Sequence, residues 1–141
     1  MRDGDALDER ASTYAAEDAH EHVMPGRTLD VDEARAWLAA VAHVEDLDPP
    51  SLVARHGNGR AEACAVRDLG VIVTYSSRPS AHALLHEMAH LACTNPYHGR
   101  EFRARLVGLV RRHMSLPHAV HLHAQFVARD LAVDPFEASA N

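Results

Sequence analysis

Between Pro79 and Pro96 the chain has room for one helix, and the residues inside it dictate how that helix must lie. Proline suits a first helical turn, while Asn95-Pro96 stops continuation because the residue before a proline avoids the helical region. The predicted helix, about Pro79 to Thr94, carries His86-Glu87-Met88-Ala89-His90. On a wheel of about 100° per residue with His86 at zero, His90 falls near ~40° and Glu87 near ~100°. Leu84, Leu85, Met88, Leu91 and Ala92 fall between roughly 140° and 260°. One face is free to enter a core. The other presents two imidazoles and a carboxylate.

Two histidines one turn apart reach a single metal ion. Zinc bound for catalysis takes three protein ligands and leaves a position for water. The third ligand must follow the turn at Asn95-Pro96, and His98 in His98-Gly99-Arg100-Glu101-Phe102 is the expected one. At about 3.3 Å per extended residue, the segment from His90 has ample slack to bring it back. Cys93, near −20° on the same wheel (roughly, at 100° per residue), and Glu101, at the start of the next helix, compete for that role. Glu87 stands beside the first histidine, where a general base must be. The pattern implies one zinc ion, held by His86, His90 and His98, with Glu87 as catalytic base. A purely structural zinc needs no such neighbour, so hydrolysis is the favoured chemistry.

The flanking segments place this helix in an α+β domain with about five helices and a small antiparallel sheet. A first helix is expected over 6–22, with Leu7, Ala11, Tyr14 and Ala15 as its apolar stripe. Met24-Pro25-Gly26 breaks it. Asp30 caps a second helix, Glu33 completes a capping box, and Val31, Ala34, Leu38, Val41 and Ala42 have the helical period. Asp48-Pro49-Pro50 ends it. Leu52–Arg55 is a weak strand candidate before the turn His56-Gly57-Asn58-Gly59. Arg60–Val66 and Val71–Tyr75 are stronger and should pair antiparallel, with the β-branched Val71-Ile72-Val73 in the interior. Further helices are expected over Gly99–Met114 and from Ser115-Leu116-Pro117 to about Leu131. Residues 1–5 and 134–141 are expected to be loose around a single domain, 1–141, with the metal site on a central helix.

Composition sets the remaining bounds. No apolar run approaches the ~18 residues of a membrane span, and the acidic N-terminus lacks the apolar core of a signal peptide. Two cysteines, Cys64 and Cys93, suit free thiols and a cytoplasmic setting. Residues 1–50 hold 13 acids against 4 arginines, whereas 51–141 hold 7 against 10. The net charge of −6 disfavours tight nonspecific nucleic-acid binding by the whole molecule. Arg100, Arg103, Arg105, Arg111 and Arg112 offer a phosphate-binding face, but a solvated face paired with the acidic N-terminal part is the favoured reading. His118, His121 and His123 are too awkwardly spaced for a second metal site and read as surface histidines.

At His86-Glu87-Met88-Ala89-His90 and His98-Gly99-Arg100-Glu101-Phe102 the sequence resembles the zincin superfamily, and more narrowly the SprT-like metalloproteases. Those join a His-Glu-x-x-His helix to a downstream His-Gly-x-x-Phe/Trp motif. Tyr14-Ala15-Ala16-Glu17 and the general layout also resemble a small family of metallohydrolases from actinobacteria and their phages. The resemblance implies a zincin-like fold and a protein or peptide substrate, in the best-known relatives one bound on or crosslinked to DNA. This chain has no second zinc module of paired cysteines, and its third histidine follows at short spacing. Hydrolysis of a non-peptide amide is the alternative reading, as is a zinc-stabilised phage- or DNA-associated binding protein without enzymatic activity. Tyr97, Arg100 and Tyr75 are candidate donors to a developing oxyanion by proximity to the motifs, although a tyrosine in such a place is more often a packing residue. The Arg60–Val66 edge of the sheet is where an extended substrate is expected to add.

Overall fold

The computed structural model describes residues 7–56 and 62–136. They form α1 (Leu7–Val23), α2 (Val31–Glu45), β1 (Ser51–Ala54), β2 (Ala63–Val66), β3 (Val71–Thr74), α3 (Ala81–Ala92), α4 (Arg100–His113) and α5 (Leu116–Ala128). This is the expected α+β class. The chain gathers into two compact units, one of Gly26–Thr94 and one of Met1–Pro25 with Asn95–Asn141.

In the unit Gly26–Thr94, α2 begins as its sequence demands. The Asp30 carboxylate accepts from the Glu33 amide at 2.8 Å, and the Glu33 carboxylate accepts from the Asp30 amide at 3.0 Å. That reciprocal box satisfies two amides the helix cannot. Ala34, Leu38, Val41 and Ala42 are buried. Asp46 ends the helix in the left-handed conformation (φ 57°), which aspartate tolerates better than most residues.

The sheet has the order β1-β3-β2. β2 and β3 are antiparallel, joined by a 3₁₀ turn (Arg67–Leu69) and by Gly70, whose positive φ of 62° closes the turn. β1 pairs with β3 in parallel, so the sheet is mixed and not wholly antiparallel. The reason lies in strand order. β1 lies on the far side of β3 from β2, so it joins the central strand and makes no hairpin with its neighbour in sequence. Register places Leu52, Ile72 and Ala65 on one face, with Ala54, Thr74 and Ala63 beside them. Leu52, Ile72, Thr74 and Ala63 are buried, and β3 is interior, as its β-branched run predicts. The expected turn at 57–59 and the start of the expected strand at 60–61 lie outside the described residues.

α3 packs against β2 and β3. It starts at Ala81, two residues later than Pro79 suggested, because the Ser80 hydroxyl caps it by accepting from the Ala83 amide at 3.0 Å. The segment before α2 holds this end: the Leu29 amide donates to the Pro79 carbonyl at 3.0 Å, and the Ala81 amide to the Arg27 carbonyl at 2.9 Å. Arg67 holds the other end. Its guanidinium donates to the carbonyls of His90 at 3.0 Å and Cys93 at 2.6 Å, where the helix dipole favours a cation. α3 is therefore clamped at both termini.

In the second unit, α5 packs on both α1 and α4. Phe102, Leu106, Leu109, Val110, Ala119, Leu122 and Phe126 fill the core. The buried face of α1 is not the expected stripe: it is Thr13, Ala16, Glu17 and His20, whereas Ala11, Tyr14 and Ala15 are exposed. Two groups of this largely polar face are bonded within the unit. Thr13 Oγ1 donates to the Glu9 carbonyl at 2.8 Å, and His20 Nδ1 shares a hydrogen bond of 2.8 Å with His121 Nδ1. Residues 134–136, expected to be loose, are tied down. Asp134 pairs with Arg100 at 2.8 Å, its carbonyl meets His123 Nε2 at 2.9 Å, and Phe136 lies edge-on to the His123 ring. Residues 1–5 and 137–141 lie outside the described residues.

Candidate metal centre

α3 brings His86 and His90 together by its pitch alone, with ring centroids 5.0 Å apart and planes inclined at 67°. The helix is buried almost all round, histidine face included: His86, Glu87 and His90 are only 5%, 8% and 9% exposed. The clean division into a core face and an open face does not hold, because the polar face is covered as well. A covered face suits metal chemistry, since excluding bulk water strengthens every electrostatic interaction at the site.

His98 is placed by its own surroundings in the second unit. The Asn95 side chain accepts from the Tyr97 amide at 3.0 Å and turns the chain before Pro96 takes effect. The His98 carbonyl then accepts from Arg103 Nη1 at 2.6 Å and from Thr13 Oγ1 at 3.4 Å. Phe102 packs edge-on against the His98 ring at 4.9 Å, which explains why the motif carries an aromatic residue four positions on. Tyr14 covers another side, with its ring 5.0 Å away and its hydroxyl 3.2 Å from His98 Nε2.

One ligand nitrogen from each of His86, His90 and His98 lies within 4.8 Å of the other two, and all three residues are buried. Zinc with nitrogen bonds of about 2.1 Å would need its ligands this close together, so the three residues could hold one ion. Three neutral nitrogen donors, with no fourth protein ligand in the cluster, suit zinc held for chemistry. Among the described residues this is the one such group. Cys93 is not in it: it is a buried thiol outside any disulfide at the end of α3. Neither is Glu101, whose carboxylate accepts from Asn95 Nδ2 at 3.1 Å.

The other singled-out residues go elsewhere. Arg100 is paired with Asp134, and Tyr75 lines a groove with Val31, Ala54, Arg55 and His56. Tyr97 is exposed at the turn. The three late histidines hold helices and chain ends: His118 Nδ1 lies 2.6 Å from the Ser115 hydroxyl, His121 meets His20, and His123 meets the Asp134 carbonyl. The arginine face of α4 conceals the largest surprise. Arg103 is 1% exposed, donating to Glu9, Thr13, His98 and Ala132. Neither Arg103 nor Tyr14 was identified from spacing, because their partners stand far away in the chain. The one earlier pointer was the phrase Tyr14-Ala15-Ala16-Glu17.

A His-Glu-x-x-His helix joined by a third histidine, in an α+β fold, defines a zincin-like single-zinc site of the metallohydrolase kind. No protein-family model, curated protein or solved structure matches the chain, so this class rests on the site itself.

Proposed function

We propose that the protein is a zinc-dependent metallopeptidase of the SprT-like kind, with His86, His90 and His98 as ligands and Glu87 as general base. The convergence of the three imidazole nitrogens carries this reading. Zinc held there supplies a water whose pKa is lowered toward about 7 and polarises a carbonyl. Glu87 takes the proton from the attacking water and delivers it to the leaving nitrogen. β2 is an edge of the described sheet, which supports addition of an extended peptide beside it. No helix among the described residues is long and apolar enough to cross a membrane. Cys64 and Cys93, neither of them in a disulfide, support a cytoplasmic setting for a protein or peptide substrate.

The test joins metal analysis to proteolysis. The purified protein should bind one zinc per chain and cleave an unstructured protein such as casein, with chelator abolishing cleavage. His98→Ala should weaken zinc binding by at least ~100-fold, beyond the loss typical of outer-shell changes. Unchanged affinity would remove His98 from the ligand set. Cleavage of small amides but not of casein would move the activity to the non-peptide alternative, and a parallel assay with DNA would show whether nucleic acid presents the substrate.

A further inference from the structure

We propose that Tyr14 is the electrophilic donor of this site: its hydroxyl holds His98 Nε2 in the metal-free protein and stabilises the substrate's developing oxyanion once metal is bound. The proposal rests on the peptidase reading above. Its basis is the contact of 3.2 Å between the Tyr14 hydroxyl and His98 Nε2. A ring nitrogen that ligates a metal carries no proton and has a single lone pair to offer. Without an ion, that lone pair accepts the phenolic O–H. With an ion that lone pair would be committed, and the O–H would turn to another acceptor.

That spacing matters, because roughly 3.4 Å is the separation of two groups sharing one tetrahedral zinc. A hydroxyl at that range from a ligating nitrogen is within hydrogen-bonding reach of a carbonyl oxygen drawn to the same ion. His98 cannot easily swing away, since Phe102 backs its ring and Arg103 and Thr13 hold its carbonyl. Tyr14 is 39% exposed while the three ligands are buried, so its side chain is accessible to solvent. A partner that merely orients a ligating imidazole accepts its other N–H and is usually a carboxylate, a backbone carbonyl or water. Phenol is the better donor, and donation is the role the oxyanion needs.

The reaction balances without consuming the tyrosine. Water oxygen bonds to the carbonyl carbon, Glu87 takes the water proton, the C–N bond breaks, and Glu87 returns that proton to the nitrogen. Tyr14 keeps its own proton and only hydrogen-bonds to the carbonyl oxygen.

Tyr14→Phe separates this from other roles. Zinc affinity, measured by competition with a chromophoric chelator, should stay equal or rise several-fold, because a competitor for the His98 lone pair is gone. The visible spectrum of the cobalt-substituted protein should change, since a group adjoining the ion has been removed. kcat should fall by about 10²–10³ with KM nearly constant, the usual cost of one lost oxyanion donor. A tenfold or greater loss of metal affinity would overturn the proposal and make Tyr14 an orienting partner of His98. An unchanged kcat, or an unchanged cobalt spectrum, would also overturn it. Affinity and spectrum need no substrate, so a wild type that cleaves no peptide would count against the peptidase reading while leaving the contact itself tested.

Discussion

Glu87→Gln should leave the protein folded and loaded with metal while reducing kcat by about 10²–10⁴, the range for loss of a positioned general base. The glutamine keeps the shape of a side chain that is 8% exposed, so packing of α3 is preserved. Zinc content should not change, because the convergent cluster consists of His86, His90 and His98 without Glu87. What is lost is a basic oxygen: an amide cannot take a proton from water and return it to an amine. Single-turnover cleavage alongside zinc-per-chain analysis is the decisive pair of measurements. Activity within tenfold of wild type would show that another group takes the proton, and loss of metal would show Glu87 to be part of the ligand sphere.

The largest stability effect should come from Arg103→Met. Arg103 donates to Glu9 at 2.9 Å, to Thr13 Oγ1 at 3.1 Å, to the His98 carbonyl at 2.6 Å and to the Ala132 carbonyl at 2.8 Å. Methionine fills much of the volume and satisfies none of these acceptors. Breaking a buried ion pair by removing one partner costs about 3–5 kcal/mol. Glu9 is 38% exposed on its side chain, so solvent screens its share, and most of the cost falls on the buried acceptors at about 1–3 kcal/mol each. A total of about 3–5 kcal/mol follows, measurable by urea denaturation. Lysine should recover only part of it, because one ammonium cannot reach four acceptors spread as a guanidinium reaches them.

The same substitution tests whether Arg103 positions the metal site. With the His98 carbonyl released, zinc affinity should fall by about 10–100-fold, the effect expected of a group that supports a ligand. A large loss of stability with unaltered affinity would confine Arg103 to holding α1, α4 and the segment near Ala132 together. Glu9→Gln is the contrasting variant. It removes a half-exposed charge and leaves the arginine bonded to three other acceptors, so its effect should be within about 1 kcal/mol.

Much of the site was legible in the chain because its rules are local. A separation of four residues puts His86 and His90 on one turn whatever surrounds the helix. Asp30 and Glu33 form a capping box from spacing alone, and Asn95-Pro96 ends α3 for reasons internal to the dipeptide. The strand pair β2–β3 was equally local, being a short link between two β-prone runs. Pairing of β1 with β3 was not, because strand order depends on which edges meet after the chain has crossed over. Tyr14 and Arg103 were misread for the same reason. Tyr14 looked like core, Arg103 looked like surface, and each is explained only by partners 84 to 94 residues distant.

The sequence by itself determined which residues can ligate and which can serve as base, since helical pitch and side-chain chemistry travel with the local chain. Only the tertiary structure decided how the third histidine is held and which hydroxyl meets it. Those outcomes depend on burial, which gives an arginine or a phenol a different role by removing water as its competing partner.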